Sequence, residues 1–236
     1  MGGAKRQWTV LGLIDWTKGY LTRAGVAEPR LSAELLLARA LNCQRLGLYT
    51  RHDRTVAREE LAVYRDLVRR AAAGEPIAHL TGQKEFYSLL LKVTPDVLIP
   101  RPETELLVDA AVEAARAGAR RLWDACTGSG CVAVAAGWYA ADLTVLATDI
   151  SEPALAVAAE NVARHGLTGR IRVAKADLLE LPPGGGDPAP VDVITANPPY
   201  VRDADMAELP GGVLREPDVA LRAGPTGLEF VRRIIT

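Results

Sequence analysis

The sequence is poor in the residues that would tie a chain together covalently or through metal. Its 236 residues include three cysteines, Cys43, Cys126 and Cys131, an odd number with no C-x-x-C spacing. That argues against a disulfide framework and for a reduced, cytoplasmic protein. The three histidines, His52, His79 and His165, stand far apart and show no ligand spacing, so no metal centre is expected. Excess positive charge is also missing: 28 basic residues face 29 acidic ones, for a net charge of −1. A protein held on nucleic acid mainly through phosphates needs a basic surface. No apolar run approaches the roughly 20 residues of a membrane span. The start, MGGAKRQWTV, lacks the apolar core of a secretory signal. Internal repeats are absent, and the one low-complexity stretch, P-P-G-G-G-D-P-A-P at 182–190, reads as an exposed connection. What is present is an ordinary globular balance, 49% hydrophobic and 24% charged, in a chain long enough for one large domain or two modest ones.

Residues 8–73 carry helical periodicity. Leu11, Leu13 and Ile14 open an apolar face, and Leu31, Leu35, Leu36 and the run Ala38 to Leu41 continue it, with Ser32 as a candidate start of that helix. A further helix is predicted from about Arg58 to Ala73, with Leu61, Tyr64, Leu67 and Val68 on one side and Gly74 ending it in the position glycine favours. Residues 75–102 change character. They are proline-rich around a β-type middle, and Phe86 to Val93 reads as one strand of a hairpin. The expected layout is therefore a helical domain over 1–74, a hairpin linker over 75–102 and a second domain over 103–236.

From residue 103 helices and strands alternate. Helices are expected at Thr104–Ala117, Gly130–Ala140 and Pro153–His165, and strands at Arg121–Ala125, Leu143–Thr148, Ile171–Ala174 and Val191–Ala196. Such alternation means a parallel sheet with right-handed crossovers, and ligands bind at the carboxyl ends of its strands. The sequence stops at F-V-R-R-I-I-T, inside a helical pattern. With V-D-V-I-T-A left as an open apolar edge, the expectation is a fragment of a longer chain.

The chemistry sits at the strand ends. D-A-C-T-G-S-G, Asp124 to Gly130, is a strand, a glycine turn and a helix start, the arrangement of a nucleotide-binding corner. It has only Gly128 and Gly130, with Cys126 where a third glycine would stand, so by itself it also fits a tight strand–helix turn. Asp149 ends the next strand and suits both hydroxyls of a ribose. Asp177 ends the third strand region and suits an adenine amino group, with Leu178 packed on the ring. Each aspartate alone fits a helix cap. Together at successive strand ends they indicate a nucleoside-type cofactor. T-A-N-P-P-Y-V, residues 195–201, follows the fourth strand. Pro198 forces Asn197 into an extended conformation. The Asn197 side-chain oxygen and the Pro198 carbonyl can accept both hydrogens of a planar –NH₂ group, and Tyr200 offers a face for stacking.

N-P-P-Y with D-x-x-T-G-S-G resembles the class I S-adenosylmethionine-dependent methyltransferases that act on exocyclic or amide nitrogen. Within them the chain is similar to the HemK (PrmC) type release-factor glutamine methyltransferases. Supporting stretches are H-L-T-G-Q-K-E-F-Y-S (79–88), L-I-P-R-P-E-T-E (98–105) and V-L-R-E-P-D-V-A-L-R-A-G-P-T-G-L (213–228). The resemblance implies an α/β Rossmann-like methyltransferase sheet, a small all-helical N-terminal domain that helps recognise a peptide chain release factor, and a β-hairpin linker. It implies methylation of the glutamine in the release factor's Gly-Gly-Gln loop. By position, Cys126, Thr127, Gly128, Ser129 and Gly130 would line the methionine part of S-adenosylmethionine, Asp149 the ribose, and Asp177 with Leu178 the adenine. Asn197 would touch cofactor and substrate, and Pro198, Pro199 and Tyr200 would hold the glutamine amide. Arg101 to Glu103 should lie close to the cofactor. The catalytic assignment falls on Asn197, Pro198 and Tyr200. Two departures stand out. Cys126 replaces a glycine, which fits if its backbone angle is ordinary, and the family continues with three more strands.

The implied reaction is in-line displacement by an amide nitrogen whose hydrogens are gripped, with catalysis from positioning rather than a general base. A cytoplasmic monomer is expected that touches neither membrane nor nucleic acid directly. Two other readings remain: an adenine-N6 DNA methyltransferase using the same grip on a flipped base, and an inactive truncated remnant that only binds partners through its helices.

Overall fold

The structure, a computed structural model, describes residues 7–180 and 190–235. Positions 182–189 of the Gly/Pro loop thus lie outside the described residues. The chain divides into two compact units, one up to Thr81 and one from Gly82 onward.

The first unit is helical: α1 Val10–Arg23, α2 Pro29–Ala40, α3 Leu46–Tyr49, α4 Arg58–Ala72 and α5 Ile77–Thr81. Thr9 caps α1, its hydroxyl accepting the Gly12 N–H at 3.2 Å. α2 starts three residues earlier than the sequence suggests. Pro29 occupies its first turn, where a missing N–H costs nothing, and Ser32 instead donates to the Ala27 carbonyl at 3.0 Å. At the end of α4 the Gly74 N–H reaches the Ala71 carbonyl and the Glu75 N–H reaches that of Arg70, with Gly74 left-handed at φ +83. The apolar stripes meet in one core of Val10, Leu13, Leu36, Leu37, Tyr64 and Leu67 with their neighbours. Residues 77–81, expected as linker, are helical.

The second unit begins with an antiparallel hairpin, β1 Gln83–Phe86 and β2 Leu89–Lys92, paired Phe86 to Leu89. The single strand expected over 86–93 is therefore broken at its start. Tyr87 and Ser88 turn the chain, both left-handed at φ +49 and +61, as a two-residue hairpin turn requires. Neither residue is among the Gly, Asn and Asp that favour positive φ in such a turn. The turn is held from outside by α6 Glu105–Arg116: the Glu105 carboxylate accepts the Tyr87 N–H at 2.9 Å, and Asp109 accepts the Tyr87 hydroxyl at 2.6 Å.

After α6 come β3 Arg121–Ala125, α7 Cys131–Tyr139, β4 Thr144–Asp149, α8 Glu152–Arg164, β5 Ile171–Lys175, β6 Val193–Ala196 and α9 Glu229–Ile235. The four strands after the hairpin form a parallel sheet in the order β5-β4-β3-β6. α7 is packed with small residues, Ala133, Ala135 and Ala136 being fully buried, which lets neighbouring elements approach closely. β6 begins two residues later than the sequence suggests, because Asp192 turns back and accepts the Arg120 and Arg121 N–H groups at 2.7 and 2.9 Å. The sheet runs outward from β3 through β4 to β5, then returns to β6 on the other side of β3. That reversal opens a crevice at the carboxyl ends of β3 and β6.

Candidate functional site

Register decides what meets in the crevice. Ala125 of β3 lies opposite Ala196 of β6. The glycine turn and N-P-P-Y therefore leave the sheet side by side, and Asp149 leaves one strand over. A single cavity takes wall residues from all three exits: Cys126, Gly128, Asp149, Asp177, Leu178 and Asn197 among them.

Its floor is held by Asp124, 2% exposed. One carboxylate oxygen accepts the Thr127 hydroxyl at 2.5 Å and the other the Thr195 hydroxyl at 2.8 Å. Burial pushes its pKa up to about 6, against the opposing pull of the two hydroxyls. Asp124 thus pins the glycine turn to β6. Asn161 of α8, fully buried, holds the turn from behind: its amide donates to the Ser129 carbonyl at 2.8 Å and to the Lys92 carbonyl at 2.9 Å.

The turn passes through three left-handed residues, Cys126 at φ +55, Gly128 at +55 and Gly130 at +78. The condition under which cysteine would fit is therefore not met. Cys126 adopts the conformation glycine favours and bears its cost, about 1–2 kcal/mol. Its thiol is pushed up to about 12 by burial first and by the carboxylates of Asp149, Asp124 and Asp177 after it, so it stays protonated and inert as a nucleophile at neutral pH. Gly130 caps α7 rather than entering it, and it does not line the cavity. A Cβ there would stand 3.2 Å from that of Ala158. A Cβ on Gly128, by contrast, would meet nothing within 4 Å. The turn is close-packed behind and open in front.

Asp149 accepts the Gly128 N–H on one oxygen and the Ser151 N–H on the other, both at 2.9 Å. Burial raises its pKa and these N–H groups oppose the rise. Each oxygen has a second lone pair for a ligand hydroxyl. Asp177 lies on the cavity wall but is engaged by α9, the Arg233 guanidinium donating to it at 2.8 Å. Leu178 beside it is buried and left-handed at φ +52. Asn197 donates from its side-chain nitrogen to the Thr104 hydroxyl at 3.4 Å; its carbonyl oxygen, the acceptor the sequence points to, takes no part in that contact. Pro199 lines the cavity, whereas Pro198 and Tyr200 do not, and the Tyr200 ring is 66% exposed. The structure thus gathers the turn, both aspartates and Asn197, and leaves Tyr200 outside the wall.

Sequence reading missed several wall residues. Pro100 and Thr104 lie on the cavity, while Arg101 to Glu103 between them, expected close to it, do not line it. Val219, Ala220 and Phe230 close the wall from the far end of the chain. Pro100, Thr104, Val219 and Ala220 come from segments with no period to read, and Phe230 from the start of α9. The only signal for the first four was their membership in the stretches 98–105 and 213–228; Phe230 lies beyond both.

Comparison with known proteins matches residues 12–82 to the PrmC N-terminal domain and residues 102–198 to the ribosomal protein L11 methyltransferase (PrmA) family. A release factor glutamine methyltransferase of Rhodopirellula baltica is 40% identical over 235 residues, 97% of this chain and 78% of that protein. One of Nitratidesulfovibrio vulgaris is 41% identical over 228 residues, 96% of this chain and 76% of that protein. The chain belongs to the release factor glutamine methyltransferase family. Among solved structures, the catalytic domain of human METTL16 in complex with a MAT2A 3′UTR hairpin overlays with a TM-score of 0.52 at 22% identity, covering 72% of this chain and 62% of that one. At that identity the overlay shows a shared fold, that of a class I methyltransferase, for the parallel sheet of this release factor glutamine methyltransferase.

The family implies S-adenosylmethionine as methyl donor, and the residues present fit it. The open front of the turn leaves room against the Gly128 backbone, the two strand-end carboxylates suit hydroxyl and amino hydrogens, and Leu178, next to Asp177 in the chain, supplies an apolar patch of the same wall.

Proposed function

We propose that this protein methylates the side-chain amide of the glutamine in the Gly-Gly-Gln loop of class one peptide chain release factors. The observation that carries the proposal is the register of β3 with β6, which sets N-P-P-Y beside a glycine turn and two strand-end carboxylates on one cavity. S-adenosylmethionine, when bound, supplies an electrophilic methyl group on sulfur. Asp149 would hold its ribose, Asp177 with Leu178 its adenine, and the turn from Cys126 to Gly130 its amino-acid part.

The remaining work falls to the Asn197 side chain and its neighbours. An amide nitrogen is a weak nucleophile because its lone pair is delocalised. The Asn197 side-chain oxygen and the Pro198 carbonyl accept its two hydrogens, orient the nitrogen and favour a more tetrahedral geometry. Tyr200, exposed beside the cavity, gives the incoming amide an aromatic face, and Pro199 fixes the strand exit. The gain comes from placement and fixed dipoles, which need no rearrangement at the moment of reaction. Cavity carboxylates are already engaged: Asp96 by the Thr94 hydroxyl, Asp124 by two hydroxyls, Asp149 by two N–H groups and Asp177 by Arg233. They orient and bind; as the nitrogen–methyl bond forms and the methyl–sulfur bond breaks to leave a neutral thioether, the proton lost from the amide nitrogen would pass to water.

The layout is a helical domain over 1–74 that recognises the release factor, a linker over 75–102 and a catalytic domain over 103–236. The protein works as a cytoplasmic monomer without direct contact to nucleic acid. Among the described residues no helix is long and apolar enough to cross a membrane. The test is incubation with S-adenosylmethionine and a purified class one release factor, followed by mass spectrometry of the Gly-Gly-Gln peptide, with DNA as control substrate. One added methyl on the glutamine is expected, and transfer to DNA alone would refute the proposal. Asn197→Ala should lower transfer by at least about a hundredfold while S-adenosylmethionine still binds by calorimetry. Normal turnover by that variant would remove Asn197 from the mechanism.

A further inference from the structure

The stretch V-L-R-E-P carries a charged group that nothing above uses. Glu216 lies in an irregular segment, yet its side chain is only 2% exposed. A carboxylate so buried needs specific partners, and it has two. One oxygen accepts the Ile99 N–H at 2.9 Å; the other accepts the Arg101 guanidinium at 2.5 Å. Ile99 and Arg101 alternate along the chain with Leu98 and Pro100, which line the cavity. Glu216 therefore grips the back of the segment whose front is cavity wall.

The segment carrying Glu216 is fastened in turn to the N-P-P-Y exit. The Val201 N–H donates to the Leu221 carbonyl at 2.9 Å, and the Ala223 N–H to the Val201 carbonyl at 2.8 Å. Gly227 lies so close beneath that a Cβ there would stand 2.7 Å from the Tyr200 carbonyl oxygen. On the other side Asn197 touches Thr104. The contacts close a ring: Asn197 to Thr104, back along the chain to Arg101 and Ile99, across to Glu216, along to Leu221, and through Val201 to Asn197 again. The Glu216–Arg101 ion pair is the charged link in that ring.

We infer that Glu216 is a positioning residue for methyl transfer, which through Ile99 and Arg101 sets the distance between the 98–104 cavity wall and the amide grip of Asn197 and Pro198. The inference rests on the proposed activity. It requires Glu216 to act on the chemical step more than on cofactor binding, since the ring it closes runs through Thr104 and Asn197 and includes neither Asp149 nor the glycine turn.

Glu216→Gln tests this, because glutamine keeps the shape but presents an N–H₂ to one of two donors. In single-turnover assays at saturating cofactor and release factor, the rate should fall about a hundredfold, the scale of a small misplacement of reacting groups. The S-adenosylmethionine dissociation constant should change by less than about threefold, a factor worth well under 1 kcal/mol. Arg101→Ala should cause a fall of the same order, and the double variant should be no slower than the worse single one. A wild-type rate in Glu216→Gln, additive losses in the double variant, or a rate loss equal to the loss of folded protein by thermal melting would overturn the inference. A second readout needs no substrate. In Glu216→Gln, amide hydrogen exchange should rise together in segments 97–104 and 198–203, with β4 unchanged. If wild type methylates no release factor, the proposed function fails, yet the exchange pattern still decides whether Glu216 couples the two segments. Exchange that rises in only one segment would refute the coupling.

Discussion

Two turns in the second unit force non-glycine residues into the left-handed region, and they are stabilised in opposite ways. At the hairpin, Tyr87 and Ser88 are held by Glu105 and Asp109 at the surface. At the cavity, Cys126 is held by a buried frame: Asp124 bridging Thr127 and Thr195, Asp149 under Gly128, and Asn161 behind Ser129. Surface contacts compete with water and contribute modestly. Buried ones are expensive to break, so they can hold a strained backbone in place. The difference shows where the protein requires precise placement: the hairpin turn has only to reverse the chain, whereas the cavity turn has to present its backbone to a ligand.

The largest test of that contrast is electrostatic. Asp124 has a folded pKa of about 6, above its ordinary value of 3.8. A raised carboxylate binds its proton more tightly in the folded state. Its stabilisation is complete below pH 4 and is lost as pH rises through 6. The shift corresponds to about 3 kcal/mol. Chemical denaturation of wild type and Asp124→Asn between pH 4 and 7 should give a stability difference that changes by that order across the window. A pH-independent difference would mean Asp124 is not buried in this network. Next in size, Gly130→Ala should cost about 2 kcal/mol, from its positive φ and the crowding against Ala158. It should also weaken S-adenosylmethionine binding in calorimetry, because the turn cannot shift without moving Gly128. The smallest effects compare the two turns directly. Cys126→Gly should stabilise by about 0.5–1 kcal/mol, strain relief less the added freedom of the unfolded chain, and Ser88→Gly by about 0.5 kcal/mol. A destabilising shift in the melting temperature of Cys126→Gly would show that Cys126 is not strained.

Much of the fold was legible because its signals are local. Strand–helix alternation, Gly74 at a helix end, and the prolines of N-P-P-Y act on their immediate neighbours. The hairpin turn was not legible. The groups that hold Tyr87 lie 18 and 22 residues away, and tertiary contacts overrode residues that favour extended chain. Gly130 was read into α7 because a small-residue run hides its own cap. At the site, the strand-end residues could be placed from the sequence. Thr104 and Val219 could not, since irregular segments announce neither direction nor depth. Glu216 was visible only as a letter in a motif; what makes it notable, a buried charge between two distant segments, exists only once the chain is folded.

The sheet order also fixes the sequence in which the cavity is completed during folding. Trp123 on β3 meets Thr148 on β4, 25 residues on, but Asp124 meets Thr195 on β6 only across 71. Closing the longer loop costs about 1 kcal/mol more in chain entropy, and distant pairings form late. The cradle between β3 and β4 is therefore built first, and the amide grip is added to it with a later strand. As the chain leaves the ribosome it passes through a stage in which the cofactor half of the site exists and the half that selects a substrate does not.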